Sequence, residues 1–222
     1  MPNLHTLLRW CARHTDCRNN GATNLNHATM NKITRESLMT LEAYSKARPT
    51  FRANAIAHKR LRSVAIGQHV TLLFEDETTI RYQIQEILRI EKTFEDQGIL
   101  DELEAYNPLV PGGRDFRTTM LIEYAEESER RVALMQLKGI ERKIWLQVED
   151  SPKVYAIADE DIERDDGNKT SAVHFLRFPV TDEMAAALKS GVTLAVGCDH
   201  DQYRLSVDVA VKTRAELVKD LH

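Results

Sequence analysis

This 222-residue sequence predicts an α+β protein: a mostly antiparallel sheet with helices packed on it, a helical N-terminal part and a strand-rich C-terminal half. Two observations carry that prediction. Apolar residues recur at helical spacing before Gly112, whereas short runs of alternating apolar residues dominate after it. The runs also lack the strict strand–helix alternation that a parallel sheet requires.

The helical part begins with "RESLMTLEAYSKA", preceded by Thr34 as N-cap and closed before Pro49. Pro49 opens a second helix, "PTFRANAIAHKRLRS", in the first-turn position that tolerates proline. "SVAIGQHVTLLFE" sets Val64, Ile66, Val70, Leu72 and Phe74 on one face and reads as a strand. "TTIRYQIQEILRIEKTFE" is an amphipathic helix, and "ILDELEAYNPLVPGG" is a shorter one ended by proline and glycine. Strand signals follow in "RTTMLIEY", "KIWLQVED", "KVYAIAD", "SAVHFLRFPV", "VTLAVGCDH" and "RLSVDVA". Ser151-Pro152 marks a tight hairpin between the second and third of these, and "CDHDQY" marks another turn. "ESERRVALMQLKG" is a helix with Gly139 at its end. "TDEMAAALKSG" is bounded by Thr181 and Gly191, and "KTRAELVKDL" closes the chain.

Composition narrows the function. Hydrophobic content of 42% with 29% charge belongs to a globular protein rather than a disordered one. A net charge of −4 provides no overall attraction to nucleic acid or an anionic membrane, and no apolar run reaches the roughly 20 residues of a membrane span. Three cysteines make no disulfide framework, so a reducing cytoplasm is the expected location. There the Asn168-Lys169-Thr170 sequon has no role. Residues 1–29 differ in texture, being rich in Asn, Thr and His with a single acid, Asp16. We expect them to be a loose extension or an over-extended reading frame starting ahead of Met30, with residues 30–222 forming one α+β domain. Within that stretch Cys11, His14, Cys17 and the upstream His5 are spaced like zinc ligands, but the second pair of a structural site is missing.

No phosphate-binding glycine loop, His-Glu-x-x-His, Cys-x-x-Cys, Gly-x-Ser-x-Gly or Glu-x-x-His occurs. What remains is polar residues on apolar faces. With Ile80 at zero, Glu91 falls about 20° away on a helical wheel, near the middle of the stripe formed by Ile84, Ile87, Leu88, Ile90 and Phe94. His174 is in phase with Leu176 and Phe178, and Cys198 and His200 with Leu194 and Val196. Glu91, His174, Cys198 and His200 are therefore the candidate functional cluster, with His174, His200 and Glu91 as ligands for iron or zinc. Each has a structural alternative. His174 is also readable as a satisfied core histidine, Cys198 as a small buried hydrophobe and His200 as part of a turn. Glu91 would then be paired with Arg48, Arg52 or Arg177 at a helix end. The basic run "HKRLR" at 58–62 reads as a solvated face, with weak nucleic-acid binding as the alternative.

The phrases "RPTFRANAIAHKRLRSVAIGQHVTLLFEDETTIRYQIQEILRIEKTFE", "LDELEAYNPLVPGGRD", "WLQVED", "VYAIADEDIER", "KTSAVHFLRF" and "AVGCDH" resemble an uncharacterised bacterial family, domain-of-unknown-function family 3501. The resemblance spans nearly all of residues 31–222 and supplies no catalytic residues. Members of that family are often encoded near rubrerythrin and an iron–sulfur oxidoreductase. The resemblance thus implies a part in peroxide handling or redox metabolism, with such proteins as partners. The expectation is a non-catalytic accessory protein; the alternative is a metal-binding protein or enzyme. Self-association stays open.

Overall fold

The structure is a computed structural model, and it describes residues 33–158 and 169–222. The sequon at Asn168 and the Cys11–His14–Cys17 spacing lie outside the described residues. In chain order the helices are α1 (Leu41–Leu61), α2 (Glu77–Glu91), α3 (Asp96–Tyr106), α4 (Glu127–Gln136), α5 (Asp182–Ser190) and α6 (Val211–Leu217). The strands are β1 (Ser63–Ile66), β2 (Val70–Phe74), β3 (Asp115–Ile122), β4 (Ile144–Val148), β5 (Val154–Tyr155), β6 (Ile157–Ala158), β7 (Val173–Pro179), β8 (Leu194–His200) and β9 (Tyr203–Asp208). Every pairing is antiparallel, in two sheets ordered β1-β2-β3-β7-β6 and β5-β4-β8-β9. The α+β class read from the sequence is the class of the fold.

The two sheets face one another across a single apolar layer. Ile66, Leu72, Phe74, Phe116, Met120, Leu176 and Phe178 from the first sheet meet Ile144, Leu146, Val196 and Cys198 from the second. Leu134 of α4, Leu188 of α5 and Leu217 of α6 join the same core. The intervening residues of the first sheet point the other way, because successive side chains of a strand alternate. Val173 and Phe175 accordingly pack with Ile80, Ile84 and Leu88 of α2 and Ile99 and Leu103 of α3. The arrangement is helices, sheet, sheet, with α1 lying against α2. Each fully buried Leu or Phe contributes about 1.5–3 kcal/mol, so the two cores are the main drive to fold.

Four elements differ from the sequence expectation. Thr34 caps only a single 3-10 turn, Arg35–Ser37, and α1 starts later, behind Thr40, whose hydroxyl accepts from the Ala43 N–H. The helix stop at Pro49 is absent: α1 runs unbroken from Leu41 to Leu61 with Pro49 inside it. Pro49 is exposed, so water can take the carbonyl that its missing N–H leaves free. Both halves are also pinned to α2, by Tyr44 and Arg48 before the proline and by the Phe51 ring stacked on Tyr82 after it. The strand "SVAIGQHVTLLFE" is a hairpin, turning at Gly67 with φ +70°. "KVYAIAD" divides at Ala156, whose N–H bonds the Ile144 carbonyl at 2.8 Å. Its first part joins one sheet and its second part the other.

Other signals act as read. Thr181 accepts from the Met184 N–H, and Gly191 ends α5 in the left-handed region. Among the described residues no helix is long and apolar enough to cross a membrane. On the second sheet the Trp145 ring packs against Gly197 on the neighbouring strand, and the Lys153 ammonium sits 4.1 Å from the ring centroid. A Cβ at 197 would come 2.3 Å from the Trp145 ring and 2.7 Å from the Leu205 carbonyl. Gly197→Ala is expected to lower stability by about 1–3 kcal/mol in urea unfolding, because both neighbours are rigid.

Candidate functional site

The site is built at the end of β2. Arg62, just past α1, is fully buried at 1% exposure. Its Nε donates to the Phe74 carbonyl at 2.9 Å and one terminal nitrogen to the Glu75 carbonyl at 3.2 Å. The same guanidinium pairs with Asp220 and stands 3.5 Å from Asp76. Asp76 caps α2, accepting from the Thr79 N–H at 2.8 Å while its own N–H donates to the Thr79 hydroxyl at 2.9 Å. His58 lies 2.5 Å from the Asp76 carboxylate. The run at 58–62 is thus partly structural rather than a solvated face: Arg62 is interior and His58 is engaged.

Between Phe74 and Asp76, Glu75 turns its side chain to the helical face of the sheet, where it is 6% exposed. It lines a cavity with Lys59, Leu73, Ile80, Gln83, Tyr106, Leu109, Thr119, Leu121 and Phe175. About 20 Å³ is open to the centre of a water molecule, room for roughly one. The Thr119 hydroxyl donates to Glu75 Oε1 at 2.6 Å. Glu75 Oε2 and the Gln83 amide nitrogen, both buried, have no hydrogen-bond partner among the described residues.

One turn further along α2, Glu86 is 1% exposed. Arg48 grips it with two hydrogen bonds, of 2.7 and 2.9 Å, and the Tyr44 hydroxyl donates a third at 2.7 Å. Burial by itself would raise this carboxyl's pKa, but the bonds from Arg48 and Tyr44 and the positive charge of Arg48 and Arg89 outweigh it and hold it at about 2. Burial, with the hydrogen bond to Glu86, raises the Tyr44 phenol above its ordinary range. Gln85 fixes the entering chain, accepting from the Met39 N–H at 2.8 Å.

The residues chosen from sequence fall elsewhere. Glu91 is half-buried and is the last residue of α2, whose buried stretch ends at Leu88. Of the three arginines proposed as its partner, Arg48, Arg52 and Arg177, Arg48 is taken by Glu86. His174 is on the opposite face of the sheet from α2, and its Nε2 bonds the Ser171 carbonyl at 2.9 Å and the Thr170 hydroxyl at 3.0 Å. His200 Nε2 donates to the Lys138 carbonyl at 3.1 Å, and its Nδ1 accepts from the Gln202 N–H at 3.2 Å. Cys198 is 1% exposed, accepts from the His200 N–H at 3.4 Å, and burial pushes its thiol up to about 11. Cys198 and His200 are neighbours on β8, while the five-stranded sheet lies between Glu91 and His174. Among the described residues, no group of three or more His, Cys, Asp or Glu side chains is arranged to hold a metal ion.

Fold and site define an antiparallel two-sheet α+β protein with a small, largely apolar cavity beneath its helical layer. The model of the family described as "Protein of unknown function (DUF3501)" matches residues 32–221, and the chain belongs to that family. A crystal structure of a protein of unknown function from Burkholderia pseudomallei is 54% identical. The match covers 86% of this chain and 100% of that one, with a TM-score of 0.82. The comparison with curated proteins gave no match.

Two outcomes follow from these environments. Glu86→Gln should lose about 2–4 kcal/mol near neutral pH in urea unfolding, since it breaks a buried charge pair. A carboxyl held at about 2 when folded stabilises above its ordinary value of 4.5 and loses that contribution as pH falls through 2. The deficit of the variant should therefore shrink steadily below about pH 4.5. In peptide mapping at pH 8, alkylation of Cys198 by iodoacetamide should be about a hundredfold slower in the folded chain than after unfolding.

Proposed function

We propose that this chain is a non-catalytic accessory protein that works by binding, in a redox or peroxide-handling system with a rubrerythrin-like protein or an iron–sulfur oxidoreductase as partner. The observation that carries the non-catalytic part is the fate of the reactive side chains. The Cys198 thiol is buried and held protonated, both histidines of the candidate cluster bond the backbone, and Glu86 is locked by Arg48 and Tyr44. A general base or nucleophile has to face a substrate, and these side chains are instead held by bonds within the fold. The redox setting rests on the family resemblance and on the genes that accompany its members.

The competing reading is a metal-binding protein or enzyme built on Glu91, His174, Cys198 and His200, and one experiment separates the two. The full chain is expressed anaerobically in a host that supplies the partner proteins, purified, and assayed for iron and zinc. We expect substoichiometric metal and retention of the rubrerythrin-like or iron–sulfur partner. Stoichiometric iron or zinc that disappears in His174→Ala would overturn the proposal.

A further inference from the structure

The second sheet ends at β9, and that edge is open. Among the outermost strands of the two sheets, β5 and β6 have two residues each and β1 has four, whereas β9 has six. In an antiparallel ladder the N–H and C=O of one residue point to the same side, and successive residues alternate. The Asp199 N–H bonds the Lys143 carbonyl next to β4, and the Val209 N–H bonds the Leu194 carbonyl. Cys198 and Val196 therefore turn their backbone groups toward β9, where they face Leu205 and Val207. The N–H and C=O groups of Arg204, Ser206 and Asp208 point the other way, and among the described residues no backbone group pairs with them. All three residues are exposed, and Leu205 between them is 45% exposed although it lies on the core face. The β1–β2 turn meets β9 on that core face, where the Tyr203 hydroxyl donates to the Ile66 carbonyl at 2.5 Å. An exposed edge of this length, without lysine or proline, is a template for a further strand.

We propose that this edge pairs with the same edge of a second copy of the chain, antiparallel about a twofold axis, so that two four-stranded sheets become one. The sequence of β9 is complementary to itself in one register. With Ser206 opposite Ser206 of the second copy, Arg204 faces Asp208 on both sides of the axis and Leu205 faces Val207. Outward backbone groups then meet only outward groups, which gives about six hydrogen bonds between the strands. Arg204, Ser206 and Asp208 stand opposite Asp199, Gly197 and Ala195, so their side chains share the face turned away from the core. Two ion pairs form on that face, while Leu205 and Val207 continue the apolar layer on the other. Sliding the second copy by two residues sets Ser206 against Arg204 or against Asp208, and both ion pairs are lost. Sliding it by four sets Arg204 against Arg204 or Asp208 against Asp208, which is repulsive. The present partner of Arg204 is Asp201 at 3.2 Å, an exposed contact that costs little to give up. The backbone supplies the association and the charges fix its register. The inference is independent of the redox partner proposed above, because it concerns the chain alone.

The test is sedimentation of the full chain at protein concentrations up to about 1 mM, where a reversible dimer with Kd of about 1–100 μM is expected. In the dimer the backbone amides of Arg204, Ser206 and Asp208 should exchange with deuterium at least about tenfold more slowly than in the dilute monomer. Arg204→Asp and Asp208→Arg each set like charges opposite one another and should each weaken self-association about tenfold. Mixed in equal amounts, the two variants should pair with each other at about the parental affinity, as should a chain that carries both changes with itself. A chain that stays monomeric throughout the concentration range would overturn the proposal. So would a dimer in which the three amides exchange as fast as in the monomer, or one whose affinity neither charge reversal alters. Failure of the mixed variants to pair would do the same. The exchange measurement uses the unaltered chain and stands even where a variant misfolds.

Discussion

A single guanidinium, that of Arg62, holds together the parts of the chain on which the rest depends. It is buried at the end of α1 and bonds the last carbonyl of β2, the next carbonyl and two carboxylates far apart in sequence, Asp76 and Asp220. Arginine suits this position because its planar fork offers five donors and does not lose its charge on burial. The two acids are not held equally. For Asp76, burial is outweighed by the Arg62 charge, the Thr79 N–H and His58, and its pKa falls below the usual range. For Asp220, burial wins over Arg62, and the carboxyl is pushed up to about 6. Their contributions to stability therefore run in opposite directions. That of Asp76 is present above its ordinary value and lost as pH falls, while that of Asp220 is present at low pH and lost as pH rises through about 6. Through Asp220 the last turn of the chain is fastened to the start of α2, so the C-terminus is part of the frame that carries the site.

The two faces of the five-stranded sheet are built on different principles. The face toward the second sheet is filled mainly with hydrophobes, and its fit is a matter of volume. The face toward the helices buries Glu75, Gln83, Gln85, Glu86 and Thr119 among its hydrophobes. In that environment hydrogen bonds are strong and unmet groups are expensive, so each polar residue has to be read by its partner. Glu86 and Gln85 are satisfied by α1 and by the chain that precedes it, which locks the helical layer in register. Among the described residues Glu75 is half satisfied and the donor of Gln83 not at all. The contrast separates the structural part of α2 from the part that faces the cavity.

Sequence periodicity reached the class of the fold because alternation and turn residues are local. It missed the hairpin at Gly67 because Ile66 and Val70 are four residues apart, an even spacing that keeps one alternating pattern in phase through the reversal. Gly67 followed by two polar residues was the available signal. Pro49 misled because its effect depends on how both halves of α1 are held by α2, which is tertiary information. Glu91 drew attention by its place on the wheel, yet it lies past the buried stretch of α2. The carboxylate that is buried, Glu86, sits about 120° from Ile80 and therefore at the edge of the apolar stripe. Only the presence of α1 on that side buries it, and no pattern within α2 contains that fact. Tyr44 and Arg48, four residues apart on α1, were a legible donor pair without a legible target. The bonds of His174 are local by contrast. Thr170 and Ser171 lie within four residues of it, and their bonds match the structural alternative of a satisfied histidine.

The cavity residues were not legible at all, since Glu75 and Gln83 come together only when α2 folds back on β2. Glu75 follows Leu73 on the same face, where the alternation would accept a hydrophobe. An apolar pair at 75 and 83 would relieve the unmet acceptor and donor, so neither hydrophobic packing nor strand pairing calls for the polar residues present. The direction of the Glu75 side chain is fixed from behind, by the bonds of Arg62 to the carbonyls of Phe74 and Glu75 and by the cap that Asp76 makes on α2. Gln83 is fixed in turn because it is carried by the helix that Asp76 starts. Acceptor and donor are thus held by the same buried guanidinium and its capped helix. The buried charge of Arg62 thereby sets the geometry of the polar residues beneath the helical layer.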